Sequence, residues 1–220
     1  MTQFLILRLQ GVLQAWGKHT YEDYRPSEVF PTHSGLIGLL AACLGIERTQ
    51  AEQLEQLGRS FIYAVRLDKR SVSMRKLTDF HTILAARKVD GSKNSNPVVS
   101  HREYLCDAQF TVAIQLTSEA SWTLEKWKDA LQRPVFTPFL GRRSCPITAP
   151  LYDNLLEAED LVAALKQVAP HDGVIYSAWK GDSFNRLVVR DVPRYHQHRQ
   201  FDTRSVYIHA SEDENVFQSV

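Results

Sequence analysis

The residues best suited to chemistry in this sequence lie in a short basic loop, residues 139–146. Gly141 permits a positive φ or a close backbone approach, and Arg142 and Arg143 place two planar, permanently charged groups beside it. Ser144 adds a hydroxyl group that can donate or accept a hydrogen bond. This combination favours binding of a phosphate-rich ligand, although the same residues also allow a solvated basic turn.

Positive charge is concentrated in one segment rather than spread over the chain. The formal net charge of the 220 residues is only +1, so no overall field draws the protein toward nucleic acid or an anionic membrane. Residues 66–102 nevertheless carry nine basic and three acidic side chains. Arginine outnumbers lysine 17 to 9 in the chain, which favours forked phosphate contacts over diffuse attraction. The segment predicts a local basic site, with a solvated charged hairpin as the alternative.

The sequence contains few residues in the spacing that metal, cofactor or disulfide chemistry needs. The three cysteines have neither metal-ligand nor disulfide spacing. His196 and His198 offer two imidazoles, but no further ligand accompanies them at useful spacing. Phosphate-binding, nucleophile-elbow and zinc-protease motifs are missing. We therefore expect no metal and no cofactor. Because the sequence also lacks a secretion signal and an apolar membrane span, we expect a cytoplasmic protein.

Metal-free cleavage of RNA is the enzymatic alternative that the residues leave open. Such cleavage needs a general base, a general acid and a cation near the phosphate. The side chains that could supply them are Lys76, His81, His101 and Tyr104. This alternative requires that the fold bring these side chains close together.

The hydrophobic pattern predicts strands and helices interrupted by an arm. Predicted strands cover residues 3–9, 61–67, 98–116 and, more weakly, 147–152. Predicted helices cover residues 34–44, capped by Ser34 and stopped by Gly45, then 49–58, where Thr49 begins a capping box and Gly58 ends the helix, and 121–131. The polar turn at residues 88–97 is the predicted tip of the arm. This order is a split βαβ pattern and predicts an α+β fold.

Two further segments complete the organisation of the chain. Residues 12–33 form a long irregular stretch, in which we interpret Trp16 as a buried anchor, with a base-stacking platform as the alternative. Residues 151–220 predict a smaller C-terminal subdomain with a helix at about 156–168. Its strand candidates are residues 174–179, 187–189 and 205–208.

Several motifs, taken together and in this order, are similar to those of a known family. They are residues 13–17 (LQAWG), 25–26 (RP), 30–40 (FPTHSGLIGLL), 42–46 (ACLGI), 79–82 (DFHT), 102–108 (REYLCDA) and 140–146 (LGRRSCP). In combination they resemble the CasD family, RAMP-superfamily subunits of the type I-E CRISPR Cascade complex. The resemblance spans about the first 150 residues, and the remainder matches only loosely.

The resemblance implies a fold. It is a ferredoxin-like (RRM/RAMP) domain at residues 1–150, with an inserted β-hairpin thumb at about 77–107 and a glycine-rich loop at 139–146. Residues 151–220 would form a small C-terminal α+β subdomain.

The resemblance also implies a role in CRISPR-associated antiviral defence. It implies a non-catalytic, RNA-binding subunit that holds the 5′ handle of the crRNA, caps the filament of CasC backbone subunits and contacts the large subunit CasA. Target DNA would be met only through the assembled ribonucleoprotein complex, and no membrane is involved. Type I-C relatives cut RNA, so processing of CRISPR repeat RNA stays the alternative, and a protein-only assembly adaptor is a third hypothesis. The expected RNA-binding residues are Arg25, Ser34, Gly35, Gly38, His81, Arg102, Tyr104, Gly141, Arg142, Arg143 and Ser144.

Overall fold

The computed structural model describes residues 1–68, 75–88, 90–183, 185–195 and 200–209. The histidine pair weighed above as metal ligands, His196 and His198, lies outside these ranges. Within them, His, Cys, Asp and Glu side chains form no group of three that could hold a metal ion. None of the helices among the described residues is long and apolar enough to cross a membrane.

The strands and helices of the described residues follow one another in a mixed order. They are β1 (Thr2–Gln10), β2 (Leu13–Gln14), β3 (Trp16–Gly17), β4 (Tyr24–Arg25), β5 (Ser27–Glu28), α1 (His33–Leu44), α2 (Ala51–Arg59), β6 (Phe61–Asp68), β7 (Arg75–Ile83), β8 (Val98–Cys106), β9 (Gln109–Leu116), α3 (Leu124–Gln132), β10 (Tyr152–Ala158), α4 (Leu161–Gln167), β11 (Gly173–Ser177), β12 (Asn185–Arg194) and β13 (Gln200–His209).

Seven of these strands form one sheet in the order β10-β1-β9-β6-β11-β13-β12, and every neighbouring pair is antiparallel. The strands β1, β6, β9 and β10 follow one another along the chain in a β-α-β-β-α-β pattern. Helices α1 and α2 lie between β1 and β6, and α3 lies between β9 and β10. In the sheet the fourth of these strands pairs with the first, the first with the third, and the third with the second. Strands β11, β13 and β12 continue the sheet beyond β6. The division of the chain at residue 150 stays a prediction.

The central strands of the sheet are apolar on both sides, so both of their faces are covered. One core cluster joins alternate residues such as Leu5, Leu7 and Val112 to the helices α1, α2 and α3. The other joins Phe4 and Ile6 to α4. Burying such side chains stabilises a fold by about 1.5–3 kcal/mol each. Helix α4 therefore occupies the central part of the face opposite α1–α3.

Helix α1 confirms the predicted helix at residues 34–44 and its stop, because Gly45 takes a left-handed φ of 78°. The N-cap, however, is Thr32 rather than Ser34. The Thr32 hydroxyl accepts the backbone N–H of Gly35 at 3.3 Å, so the helix begins at His33. Helix α2 also differs from the prediction. It continues past Gly58 to Arg59, and the side chain of its N-cap residue, Gln50, accepts no hydrogen bond from the helix N–H groups.

The strand predicted at residues 147–152 and the helix predicted from residue 156 are wrong in position. Strand β10 covers Tyr152–Ala158, where Leu155 pairs with Leu5 and Leu156 with Phe4. Helix α4 begins only at Leu161, because the Asp160 carboxylate accepts the first free N–H groups of the helix. The extended segment predicted at residues 98–116 is divided into β8 and β9 by Asp107, which has a φ of 54°.

A buried ion pair joins the C-terminal hairpin to the start of α1. Asp191 on β12 is 1% exposed and accepts two hydrogen bonds of 2.8 Å from the Arg204 guanidinium. The same carboxylate accepts the backbone N–H of His33 at 2.8 Å, where the helix dipole favours a negative charge. Arg204 also donates to the Tyr63 hydroxyl and lies over its ring. Three elements, β12, β13 and α1, therefore meet at one carboxylate, and Arg204 connects β6 to them.

We predict that Asp191→Asn lowers the free energy of unfolding by about 3 kcal/mol, because it leaves the buried Arg204 charge without its counterion. Urea denaturation followed by circular dichroism measures this change. The matched control is Asp202→Asn, which breaks an ion pair with Arg194 in which both side chains are 48% exposed and should change stability little. Equal stability of the two variants would contradict the stabilising role of the Asp191–Arg204 ion pair.

Protonation of His33 should destabilise the fold in acid. Burial, and then the nearby Arg204 charge, lower the pKa of His33 from 6.5 to about 4, against the opposing effect of Asp191. The unfolded chain therefore binds this proton first, and the stability that neutral His33 contributes, complete above pH 6.5, is lost as the pH falls toward 4. Relative to His33→Gln, the wild type should lose about 3 kcal/mol across this window, as measured by urea denaturation at each pH. If the free energy of unfolding of the two proteins changed with pH in parallel, the role of His33 protonation would be refuted.

Candidate nucleic-acid interface

A β-hairpin, here called the arm, occupies the segment where an inserted hairpin was predicted. Strands β7 and β8 pair in antiparallel fashion over their full lengths. The other edge of β8 is joined by β2, which is antiparallel, and by β4, which is parallel. The arm is therefore attached at its base to the segment that precedes α1.

Alternation along the strands gives the arm two faces. Arg102 pairs with Asp79 on β7 and with Arg25 on β4, so these three side chains share one face. His81 and Tyr104 follow at two-residue spacing on the same face. We call this side, with Arg25, His81, Arg102 and Tyr104, the basic face. The structure thus brings together four of the expected RNA-binding residues.

Part of the basic segment is unavailable for a ligand. Arg66 is fully buried, and its guanidinium donates to Asp68 and to the last carbonyls of α4, those of Leu165 and Val168. Its charge is therefore satisfied inside the protein. Lys69 and Arg70 lie outside the described residues.

The basic loop at residues 139–146 is closed by its own backbone. The N–H of Leu140 donates to the carbonyl of Cys145 at 2.9 Å, and both side chains are fully buried. Gly141 has a φ of 85°, and a Cβ atom there would lie 1.7 Å from the carbonyl oxygen of Ala15. Glycine is thus required at this position by contact with the protein itself.

Arg142 connects the loop to the basic face. Its guanidinium donates to the carbonyl of Glu103 at 3.0 Å and to that of Arg25 at 2.9 Å, and lies 4.6 Å from the centroid of the Tyr104 ring. Tyr104 is only 6% exposed, so it supports Arg142 rather than presenting a surface of its own. By contrast, Arg143 and Ser144 face solvent.

The three expected residues of α1 have a different setting. A Cβ atom at Gly35 would lie 2.7 Å from the ring of Trp16, which is fully buried, so the interpretation of Trp16 as an anchor is confirmed. Ser34 is half-buried, and Gly38 is exposed with open space beside it. The carboxylate of Asp191 already occupies the start of this helix, where an anion would otherwise bind.

Two buried polar residues that sequence reasoning missed hold the site together. The Gln14 amide donates to the carbonyls of Ala108 and Leu9, and its oxygen accepts the indole N–H of Trp16. Glu103 accepts the backbone N–H of Ser27 at 2.9 Å. The sequence signal that could have found them is a polar residue at a position that faces the core in an otherwise apolar or alternating segment, because a buried polar group needs hydrogen-bond partners.

Glu103 remains charged inside the arm. Burial alone would raise its pKa, but the Ser27 N–H and the Lys76 ammonium outweigh this effect, so the pKa lies below its usual value. The Tyr24 hydroxyl also donates to this carboxylate at 3.2 Å. The negative charge therefore fixes β4 and β5 against β8.

The four side chains considered for RNA cleavage do not converge. His81 pairs with Ser100 and His101 with Phe80, so the two histidines lie on opposite faces of the arm. Lys76 is 3.5 Å from Glu103, and Tyr104 is covered by Arg142. These four residues therefore do not place a general acid and a general base next to the same phosphate.

The fold and the site define a mixed α/β protein, dominated by antiparallel sheet, with a basic arm beside a glycine-containing loop. The family model described as CRISPR-associated protein (Cas_Cas5) matches residues 4–207. The chain belongs to this CRISPR-associated Cas5 family.

Individual relatives agree with the family assignment. The chain is 44% identical over 215 residues to "CRISPR system Cascade subunit CasD" of Escherichia coli K12, covering 94% of this chain and 96% of that protein. A structure described as "CRISPR RNA-guided surveillance complex" is similar with a TM-score of 0.70 and 26% identity, covering 94% and 89% of the two chains. Another, "Crystal structure of Cas protein", has a TM-score of 0.62 and 29% identity, covering 94% and 93%. The resemblance to the type I-E CasD family is confirmed.

Gly141 and Gly38 provide a matched test of the loop. We predict that Gly141→Ala destabilises the protein by more than about 1 kcal/mol, because its φ is positive and its Cβ would collide with Ala15. Gly38→Ala should instead stabilise it by about 0.5–1 kcal/mol, since that helical site is open. Thermal and urea unfolding measure both changes. A neutral Gly141→Ala would show that the loop does not depend on this contact.

Proposed function

We propose that the protein is a non-catalytic, RNA-binding subunit of a CRISPR Cascade complex, in which it holds the 5′ handle of the crRNA. Its similarity to a protein named as a Cascade subunit, along 94% of the chain, supports this assignment. By the same resemblance, we propose that it caps the CasC filament, contacts CasA and meets target DNA only within the assembled complex.

The proposal extends to the architecture. The strand order β10-β1-β9-β6 with α1, α2 and α3 on one face supports a ferredoxin-like, RAMP-type domain. The arm would be its thumb, and residues 151–220 its C-terminal subdomain.

The observation that carries the proposal is the contact of Arg142 with the arm. Because Arg142 bonds to the carbonyls of Glu103 and Arg25, it holds the exposed Arg143 and Ser144 next to the basic face. A continuous surface with guanidinium and hydroxyl donors suits a phosphate backbone.

Within this surface the expected residues divide into two roles. We propose that four of them contact RNA directly: Arg25, Arg102, Arg143 and Ser144. His81 lies at the edge of the same face. Gly141, Arg142 and Tyr104 position these groups through internal contacts. The α1 residues Ser34, Gly35 and Gly38 are left out of the direct surface, because Asp191 would repel a phosphate at the helix start.

We predict that Arg143→Ala weakens binding of an end-labelled RNA carrying the repeat-derived 5′ handle by about tenfold, because a charge-assisted contact to phosphate is lost. The slope of the logarithm of the binding constant against the logarithm of the salt concentration should become less steep by about 0.7. Electrophoretic mobility shift at several salt concentrations measures both. The control is Arg48→Ala, an exposed arginine between α1 and α2, which should bind as the wild type does.

Three outcomes would separate the alternatives. Unchanged affinity and salt slope for the double variant Arg142→Ala with Arg143→Ala would refute the RNA-binding surface. A discrete product on a denaturing gel, formed in chelator and lost in His81→Ala or His101→Ala, would identify a processing nuclease instead. Retention of the subunit in nuclease-treated complexes without a protected handle would favour a protein-only adaptor.

A further inference from the structure

The side of the arm opposite the basic face carries a row of aromatic rings. His101 pairs with Phe80 on β7 and with Tyr24 on β4, so one residue from each of three neighbouring strands contributes a ring to the same side. We call Tyr24, Phe80 and His101 the aromatic face. The function proposed above uses none of these residues.

These rings are exposed although they are held in place. Phe80 is 64% exposed and Tyr24 is 39% exposed. The rings of Phe80 and His101 meet edge to face, with centroids 5.4 Å apart. His101 is oriented by Asp23 at 3.1 Å, and the Tyr24 hydroxyl by Glu103. Exposed aromatic rings that are already ordered form a binding surface at little cost in conformational entropy.

The charge of the arm indicates the chemistry of the partner. The described residues from 75 to 106 carry six basic and three acidic side chains, and one of the acids, Glu103, is buried. A cationic arm with exposed rings complements a polyanion that also has flat apolar surfaces. Single-stranded nucleic acid has both properties, because its unpaired bases stack on aromatic side chains while its phosphates attract cations.

We propose that the aromatic face stacks unpaired bases of the bound RNA, with Phe80 as the main platform and His101 and Tyr24 beside it. The proposal rests on the RNA-binding function proposed above and assigns bases, rather than phosphates, to this side of the arm. Because every base has a π-face, this contact adds affinity with little dependence on sequence.

The test uses the full chain and a single-stranded RNA of the 5′ handle that contains 2-aminopurine at successive positions. Stacking on Phe80 should quench the fluorescence of at least one position on binding. Phe80→Ala should abolish that quenching and weaken binding about tenfold. Phe80→Tyr should retain both properties, whereas Phe80→Leu, which is apolar but not aromatic, should lose them. The matched control is Phe136→Ala, a 44% exposed phenylalanine outside the arm.

The outcomes distinguish this proposal from the one on which it rests. If the wild type binds RNA but Phe80→Ala binds equally well, base stacking on the aromatic face is refuted while the basic face stands. If Phe80→Leu behaves as the wild type does, the contact is general apolar packing, as a protein partner would make, and the proposal is also refuted. If the wild type binds no RNA, the proposed function itself fails.

Discussion

The close contact between Ala15 and Gly141 is the constraint on which the rest of the site depends. The Ala15 N–H donates to the carbonyl of Leu140, and the Ala15 carbonyl lies where a side chain on residue 141 would be. The neighbours of Ala15 fix its position, since Gln14 bonds to the main chain and Trp16 fills the space against Gly35. Three successive residues therefore position the loop, the base of the arm and α1 before any ligand binds, which lowers the entropic cost of binding.

Burial decides which arginines can serve a ligand. A guanidinium removed from water is costly unless it is paired, and Arg66, Arg142 and Arg204 each find internal partners. These three side chains stabilise the fold rather than a complex. Arg143 and the exposed basic side chains of the arm keep their charge at the surface, which is why a chain with a net charge of +1 can still present a local basic site.

Much of the fold was predictable from local pattern, and much of the site was not. The apolar run of β1 and the Gly45 stop of α1 are local signals, and both are confirmed. The adjacent leucines of β10 fit a helix equally well, and only pairing with β1 makes them a strand. Likewise, neighbouring arginines in the loop look equivalent in sequence. Arg142 becomes structural because Tyr104, 38 positions earlier, lies beneath it, and Arg143 is left exposed.

The separation of the arm into a basic and an aromatic side depends on the register of a strand only two residues long. Tyr24 and Arg25 are adjacent, so β4 contributes a ring to one side and a guanidinium to the other. A shift of one residue would exchange them. Such a short strand cannot fix its own register, but Glu103 accepts hydrogen bonds from Tyr24 within the strand and from Ser27 just after it. A buried carboxylate that stays charged because its pKa is lowered thereby keeps the two surfaces distinct.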